Sequence, residues 1–141
     1  RYVLFLMIPR ADGLYKGYGE LDFLFPFSGV KRGSRIVLYG AGVYGQRLHH
    51  FLLKTGFCSV AAWVDRNYAQ LEAMGLPVKS PGAVSDISFD AIVIANTYER
   101  SRKALYQELI KRYPPKKVHM LDEELVFSQE SLEAFGLIEK E

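Results

Sequence analysis

RIVLYGAGVYGQRL, Arg35 to Leu48, is the stretch on which the fold turns. Its first five residues form a short apolar run between Gly33 and Gly40, the pattern of a strand buried on both faces. Gly40, Gly42 and Gly45 follow in G-x-G-x-x-G spacing. Beyond them Tyr44, Leu48, Phe51 and Leu52 recur at i, i+4, i+7 and i+8, one apolar helix face, and Gly56 stands where that helix would stop. Strand, glycine turn and helix in this order open a βαβ unit.

Working outward, the same alternation continues. SVAAWVD, Ser59 to Asp65, reads as a second strand, LPVKSP around Val78 as a short third, and FDAIVIAN, Phe89 to Asn96, as a fourth. A helix is expected from about Tyr98 to Arg112, with Tyr106, Leu109, Ile110 and Tyr113 on one stripe. Glu108 is spaced to pair with Arg112, and Pro114 and Pro115 enforce the end. KVHML supplies a fifth strand. The expected fold class is α/β, a doubly wound parallel five-stranded Rossmann-like sheet in the order 3-2-1-4-5 with helices on both faces.

That domain spans residues 35–122. Residues 1–34 read as a lead-in segment or the remnant of a preceding domain, and 123–141 as a helical tail with Ser128 as N-cap and Gly136 past its end. The lead-in aromatics, Phe23 to Phe27, have two uses open to them, packing on the sheet or forming a homodimer contact. The apolar run Tyr2 to Ile8 is too short to span a membrane, so no membrane insertion by this segment is expected. The missing initiator Met suggests a piece of a longer protein.

With 141 residues, 49% of them hydrophobic, the chain can bury a core without staples. A formal charge of +2, with both signs interspersed, implies no nucleic-acid partner. Cys58 is the only cysteine, which leaves no disulfide framework and suits a reducing, cytoplasmic setting.

The glycine motif lies where its mechanism requires, between a strand and the first turn of a helix. Gly40 permits the tight turn and Gly42 lets the backbone approach a pyrophosphate. Gly45, on the face of Leu48 and Leu52, lets helix and strand pack closely. Amides around Gly42, Val43 and Tyr44, with Ala41 beside them, then meet the anion, aided by the helix dipole. Asp65, twenty residues after Gly45, is placed to accept from a ribose 2′-hydroxyl, which puts NAD ahead of NADP; Arg66 beside it would suit a 2′-phosphate instead. The plainer alternative is a tight turn and a loop-capping aspartate with no ligand. S-adenosylmethionine is disfavoured because Val37, Leu38 and Tyr39 provide no carboxylate at the end of the first strand. Asn96 and Thr97, at the end of the fourth strand, either line the pocket at the switch point or, in the case of Thr97, only cap the next helix.

No catalytic set accompanies the motif. Tyr113 and Lys117 have the spacing of a Tyr/Lys relay, but Pro114 and Pro115 lie between them. Tyr98 with Arg102 lacks the lysine, and Tyr98 reads as a packing residue. His49 and His50 point to different faces, His119 reads as a core or edge histidine, and Cys58 as a packing cysteine, so no metal site is expected.

SRIVLYGAGVYGQRLHHFL, AAWVDRN, GLPVKSP and FDAIVIA together resemble the small Rossmann domains of bacterial polysaccharide and sugar-nucleotide biosynthesis proteins. These are the amino-terminal domain of capsule-type sugar-nucleotide dehydratases and look-alikes fused to glycosyltransferases. The likeness covers roughly residues 35–121, including Gly75, Leu76, Pro77 and Val78 at the third strand. It implies a dinucleotide or nucleotide-sugar site, with NAD or a UDP-sugar as ligand, catalysis in another domain of the parent chain, and alternatively a regulatory or assembly module of a glycosyltransferase.

Overall fold

β1 (Arg35–Tyr39) is the central strand, and its Ile36, Val37 and Leu38 are wholly buried, as residues covered on both faces must be. The computed structural model describes Phe25, Phe27 and residues 29–121. From β1 the chain runs through α1 (Val43–Thr55), β2 (Ser59–Val64), α2 (Tyr68–Ala73), a 3-10 helix (Pro81–Asp86), β3 (Ala91–Ile94), α3 (Glu99–Leu109), a 3-10 turn (Pro115–Lys117) and β4 (Val118–His119). The four strands are all parallel, in the order β2-β1-β3-β4.

Two apolar layers sandwich this sheet. On one face Ile36, Leu38, Trp63 and Val93 meet Tyr44, Leu48, Phe51 and Leu52 of α1, with Leu71 of α2 at the margin. On the other, Val37, Tyr39, Val64, Ile92 and Ile94 meet Leu109 and the partly buried Tyr106, Ile110 and Tyr113, the expected stripe, joined by Leu105. A β-bulge decides which β2 residues face which layer. Ile36 pairs with Val60 but Val37 pairs with Ala62, so Ala61 is the extra residue. A one-residue slip exchanges the faces of everything beyond it. Trp63 therefore lies on the α1 side and Val64 on the α3 side.

The structure corrects three expectations. Among the described residues the sheet has four strands where five were expected: around Val78 only Lys79 pairs, through a single parallel bridge to Val64. Its amide donates to the Trp63 carbonyl at 2.8 Å. Pro77 and Pro81 flank the segment, and lacking N–H groups they leave no ladder to extend. The helix α3 stops at Leu109, three residues before the expected end, and the chain goes on in tight turns such as Arg112 N to Leu109 O, 3.0 Å. The i,i+4 pair that forms on it is Glu99 with Lys103 at 2.7 Å, while Glu108 and Arg112 flank a crevice beside Tyr39.

α1 ends as its sequence predicts, with Gly56 in the left-handed region at φ 65. Under this helix Phe25 and Phe27 are buried, Phe25 lying 4.6 Å from the Phe57 ring and stacked on Phe51 at 6.4 Å. These two lead-in aromatics thus complete the α1 layer. The run Tyr2 to Ile8 and the tail with Ser128 and Gly136 lie outside the described residues. Among the described residues no helix is long and apolar enough to cross a membrane.

The α1 layer contains one unpaired polar atom. The Tyr44 hydroxyl is buried with no hydrogen-bond partner among the described residues, and burial pushes its pKa upward. Leaving a buried donor unsatisfied costs about 1–3 kcal/mol. Tyr44→Phe is therefore expected to raise stability by about 1 kcal/mol in chemical denaturation; a lower midpoint would mean that the hydroxyl has found a partner.

Candidate functional site

The three motif glycines have different reasons to be glycine. Gly40 has φ +121, and a Cβ there would lie 2.7 Å from the Ala95 carbonyl oxygen of the neighbouring strand end. Gly45 is pressed against the turn itself: a Cβ would lie 2.1 Å from the Gly40 oxygen. Gly42 has an ordinary φ of -73, and a Cβ on it would meet, beyond its chain neighbours, none of the described residues within 4 Å. The fold requires the outer two glycines, whereas nothing in the packing requires the middle one.

β2 clamps this turn from the side. The Gly40 amide donates to the Val64 carbonyl, the Trp63 indole Nε1 donates to the Gly40 carbonyl, and the Ala41 amide donates to Asp65 Oδ2, each at 2.8 Å. Trp63 reaches the turn only because the bulge turns it to this face, where His49 stacks on it at 4.1 Å. Burial, reinforced by the neighbouring His50, holds the His49 pKa below its ordinary value. Asp65 also accepts from the Asn67 amide through Oδ1 at 2.8 Å. Each carboxylate oxygen has one bond to the backbone and one lone pair still available.

Gly42 is the N-cap of α1 and offers no side chain, and the first turn carries no acid. The first-turn amides have no acceptor within the helix. Val43, 68% exposed, projects outward, while the Tyr44 ring enters the core and leaves only its backbone at the turn. The Ala41 amide is already committed to Asp65. The amides open to an anion are accordingly those that follow Ala41.

Across the turn stands the end of β3. Asn96 Oδ1 accepts from the Tyr98 amide at 2.8 Å, leaving its amide nitrogen without a partner among the described residues. This bond starts α3 one residue later than expected, with Tyr98 as the N-cap, so Thr97 does not cap the helix. The Thr97 carbonyl instead accepts from the buried Arg102 guanidinium at 2.9 Å. The same geometry overturns the expectation that Tyr98 is a packing residue, because its ring is 76% exposed.

Two clefts meet at Gly40, Asp65 and Asn96. One, of about 340 Å³, is bordered by Gly42, Val43, Thr97 and Tyr98. The other, of about 470 Å³, is bordered by Arg66 and Asn67 on one side and by Arg100, Ser101, Leu105 and Glu108 of α3 on the other. Tyr39 forms part of its wall, and burial followed by the Glu108 charge raises the pKa of its phenol. The junction lies at the carboxyl ends of β1 and β3, where the crossover through α1 leaves one face and that through α3 the other. Open α/β sheets bind ligands at such switch points. All ten expected site residues are at this junction or in the turn beside it; Trp63, Tyr98 and Arg100 join them.

Nucleophiles and metal ligands are not gathered here. Cys58 is buried, its thiol pushed up to about 11 by desolvation. His119, on the edge strand, packs against Gly29, and burial lowers its pKa. Among the described residues no group of His, Cys, Asp and Glu is arranged to hold a metal. The chain matches no protein-family model and no curated protein.

Proposed function

We propose that this chain is a nucleotide-binding domain with a Rossmann-like site, NAD(H) being the leading ligand. In this reading a diphosphate rests on the amides following Ala41, a ribose hydroxyl bonds Asp65, and the base enters the cleft beside Arg66. The carrying observation is the freedom at Gly42: the fold leaves this position open on the border of the 340 Å³ cleft, beside an uncapped helix terminus. The clamp from β2 supports it, since a turn already held by hydrogen bonds loses little entropy when an anion arrives. The resemblance to domains of surface-polysaccharide and sugar-nucleotide biosynthesis extends the reading to a cytoplasmic setting, with the chemistry carried by another domain of a longer protein.

A second reading rests on Asp65. Its two oxygens already brace the turn and the next loop, which suits a glycosyltransferase-associated regulatory or assembly module that holds a UDP-sugar without using the ribose site, or holds nothing. Isothermal titration with NAD, NADP and a UDP-sugar separates the readings. Micromolar to millimolar binding of NAD or NADP supports the first, binding of the UDP-sugar alone supports the second, and binding of none removes the nucleotide reading. Arg66 and Arg100, which border one cleft, give NADP a defined arm of the test.

Asp65→Asn is expected to act twice. An asparagine has one acceptor oxygen, so its NH2 must face one of the two backbone amides, and stability should fall by about 1–3 kcal/mol without ligand. NAD affinity should fall further than the affinity of a ligand lacking the ribose diol. Equal losses for both would assign Asp65 to the turn alone.

A further inference from the structure

The described chain exposes five large hydrophobic side chains, and two of them, Val43 at 68% and Tyr98 at 76%, border the same 340 Å³ cleft. Tyr98 is an exposed ring on a fixed backbone. Its amide is held by Asn96 Oδ1 at 2.8 Å, its carbonyl accepts the Arg102 amide at 2.9 Å, and the adjoining Thr97 carbonyl is held by the buried Arg102 guanidinium. A bare aromatic ring at a pre-set position presents a stacking surface whose backbone needs no ordering on binding. The cleft on the far side of Gly40, Asp65 and Asn96 is richer in charged and polar groups, with Arg66, Asn67, Arg100, Ser101 and Glu108 on its border beside Tyr39 and Leu105. A polar cleft and an aromatic-edged cleft thus flank one phosphate-sized turn.

We infer that Tyr98 is the specificity-determining residue that selects ligands carrying a second ring beyond the diphosphate, by stacking on that ring in the cleft bordered by Val43. The inference rests on the nucleotide reading and narrows it, because a nucleoside diphosphate alone would fill the polar cleft and leave Tyr98 bare. The shared chemistry is a ring attached through the distal phosphate. That ring is an aromatic heterocycle in a dinucleotide and a pyranose in a nucleotide-sugar, and either can lay a face against a phenol ring.

The test is titration calorimetry of ADP, UDP, NAD and UDP-glucose against the wild-type chain, Tyr98→Ala and Tyr98→Phe. A side chain so exposed can be truncated without loss of folding, which unchanged melting temperatures would verify. On the wild type, NAD should bind about tenfold more tightly than ADP, or UDP-glucose than UDP; whichever pair shows the gain identifies the ring. Tyr98→Ala should erase the gain, Tyr98→Phe should keep it, and the mononucleotides should bind all three proteins alike. Equal affinity of one-ring and two-ring ligands on the wild type overturns the role of Tyr98 and leaves the nucleotide reading standing. An equal loss for all four ligands in Tyr98→Ala also overturns it, since the ring would then serve the turn. If none of the four binds the wild type, the nucleotide reading fails and the inference falls with it.

Discussion

Gly45→Ala is expected to destabilise the chain by about 3 kcal/mol or more, although it replaces the worst ordinary helix former with the best. Helix propensity by itself predicts a gain of about 1 kcal/mol at this position within α1. Geometry reverses the sign. The added Cβ would lie 2.1 Å from the Gly40 oxygen and 2.7 Å from its carbonyl carbon, both backbone atoms. No rotamer change can relieve such a clash, so the helix or the turn must move. The turn is not free to do so: Gly40 already abuts the Ala95 oxygen, and its amide and carbonyl are held by Val64 and Trp63. Displacing it would break these bonds together with that of Ala41 to Asp65. Urea denaturation of the two proteins measures the difference. A midpoint equal to or above the wild-type value would show that helix and strand are not locked at Gly45.

This tight packing explains why the β1–turn–α1 unit is so legible in the sequence. Glycine was required at Gly40 and Gly45 by backbone contacts, and such contacts recur wherever a parallel strand feeds a closely packed helix. The apolar faces of α1 and α3 were legible for a similar reason, because burial on one side of a helix imposes the 3.6-residue period. Other features leave no such mark. In SVAAWV the residues after Ser59 are all apolar although only Ala62 to Val64 are buried, so the run shows no alternation, neither alanine announces the bulge and the face of Trp63 is undetermined. The brace from Trp63 to Gly40 was hidden with it. Tyr98 misled because the helix was expected to begin at it; the Asn96 side chain captures its amide, the helix begins at Glu99, and the ring is left exposed. Around Val78 the apolar residues suggested a strand, but the flanking prolines reduce it to the Lys79 bridge. Motif residues set by backbone geometry could be read, whereas side chains aimed by a bulge or a side-chain cap could not.

Gly42→Val should separate binding from folding, with nucleotide affinity falling by about a hundredfold, roughly 2.7 kcal/mol, while the fold persists. Valine tolerates the φ of -73 and extended ψ found here, and beyond its two chain neighbours its Cβ would meet no described residue within 4 Å. Its cost to folding is a poorer N-cap, about 1 kcal/mol at most. Gly42→Ser isolates the binding effect further. Serine is among the best N-cap residues, so this variant should be at least as stable as the wild type, yet it places the same Cβ over the amides that would face a diphosphate. If the open space at Gly42 exists for a ligand, both variants lose NAD or UDP-sugar affinity although their stabilities differ. Unchanged affinity in both would place the phosphates elsewhere and leave Gly42 without a role in binding. Loss in Gly42→Val alone would point to side-chain bulk near Val43 and not to a close backbone approach. Gly45 and Gly42, three residues apart in one motif, are thus expected to fail in opposite ways, the first through the fold and the second through the ligand.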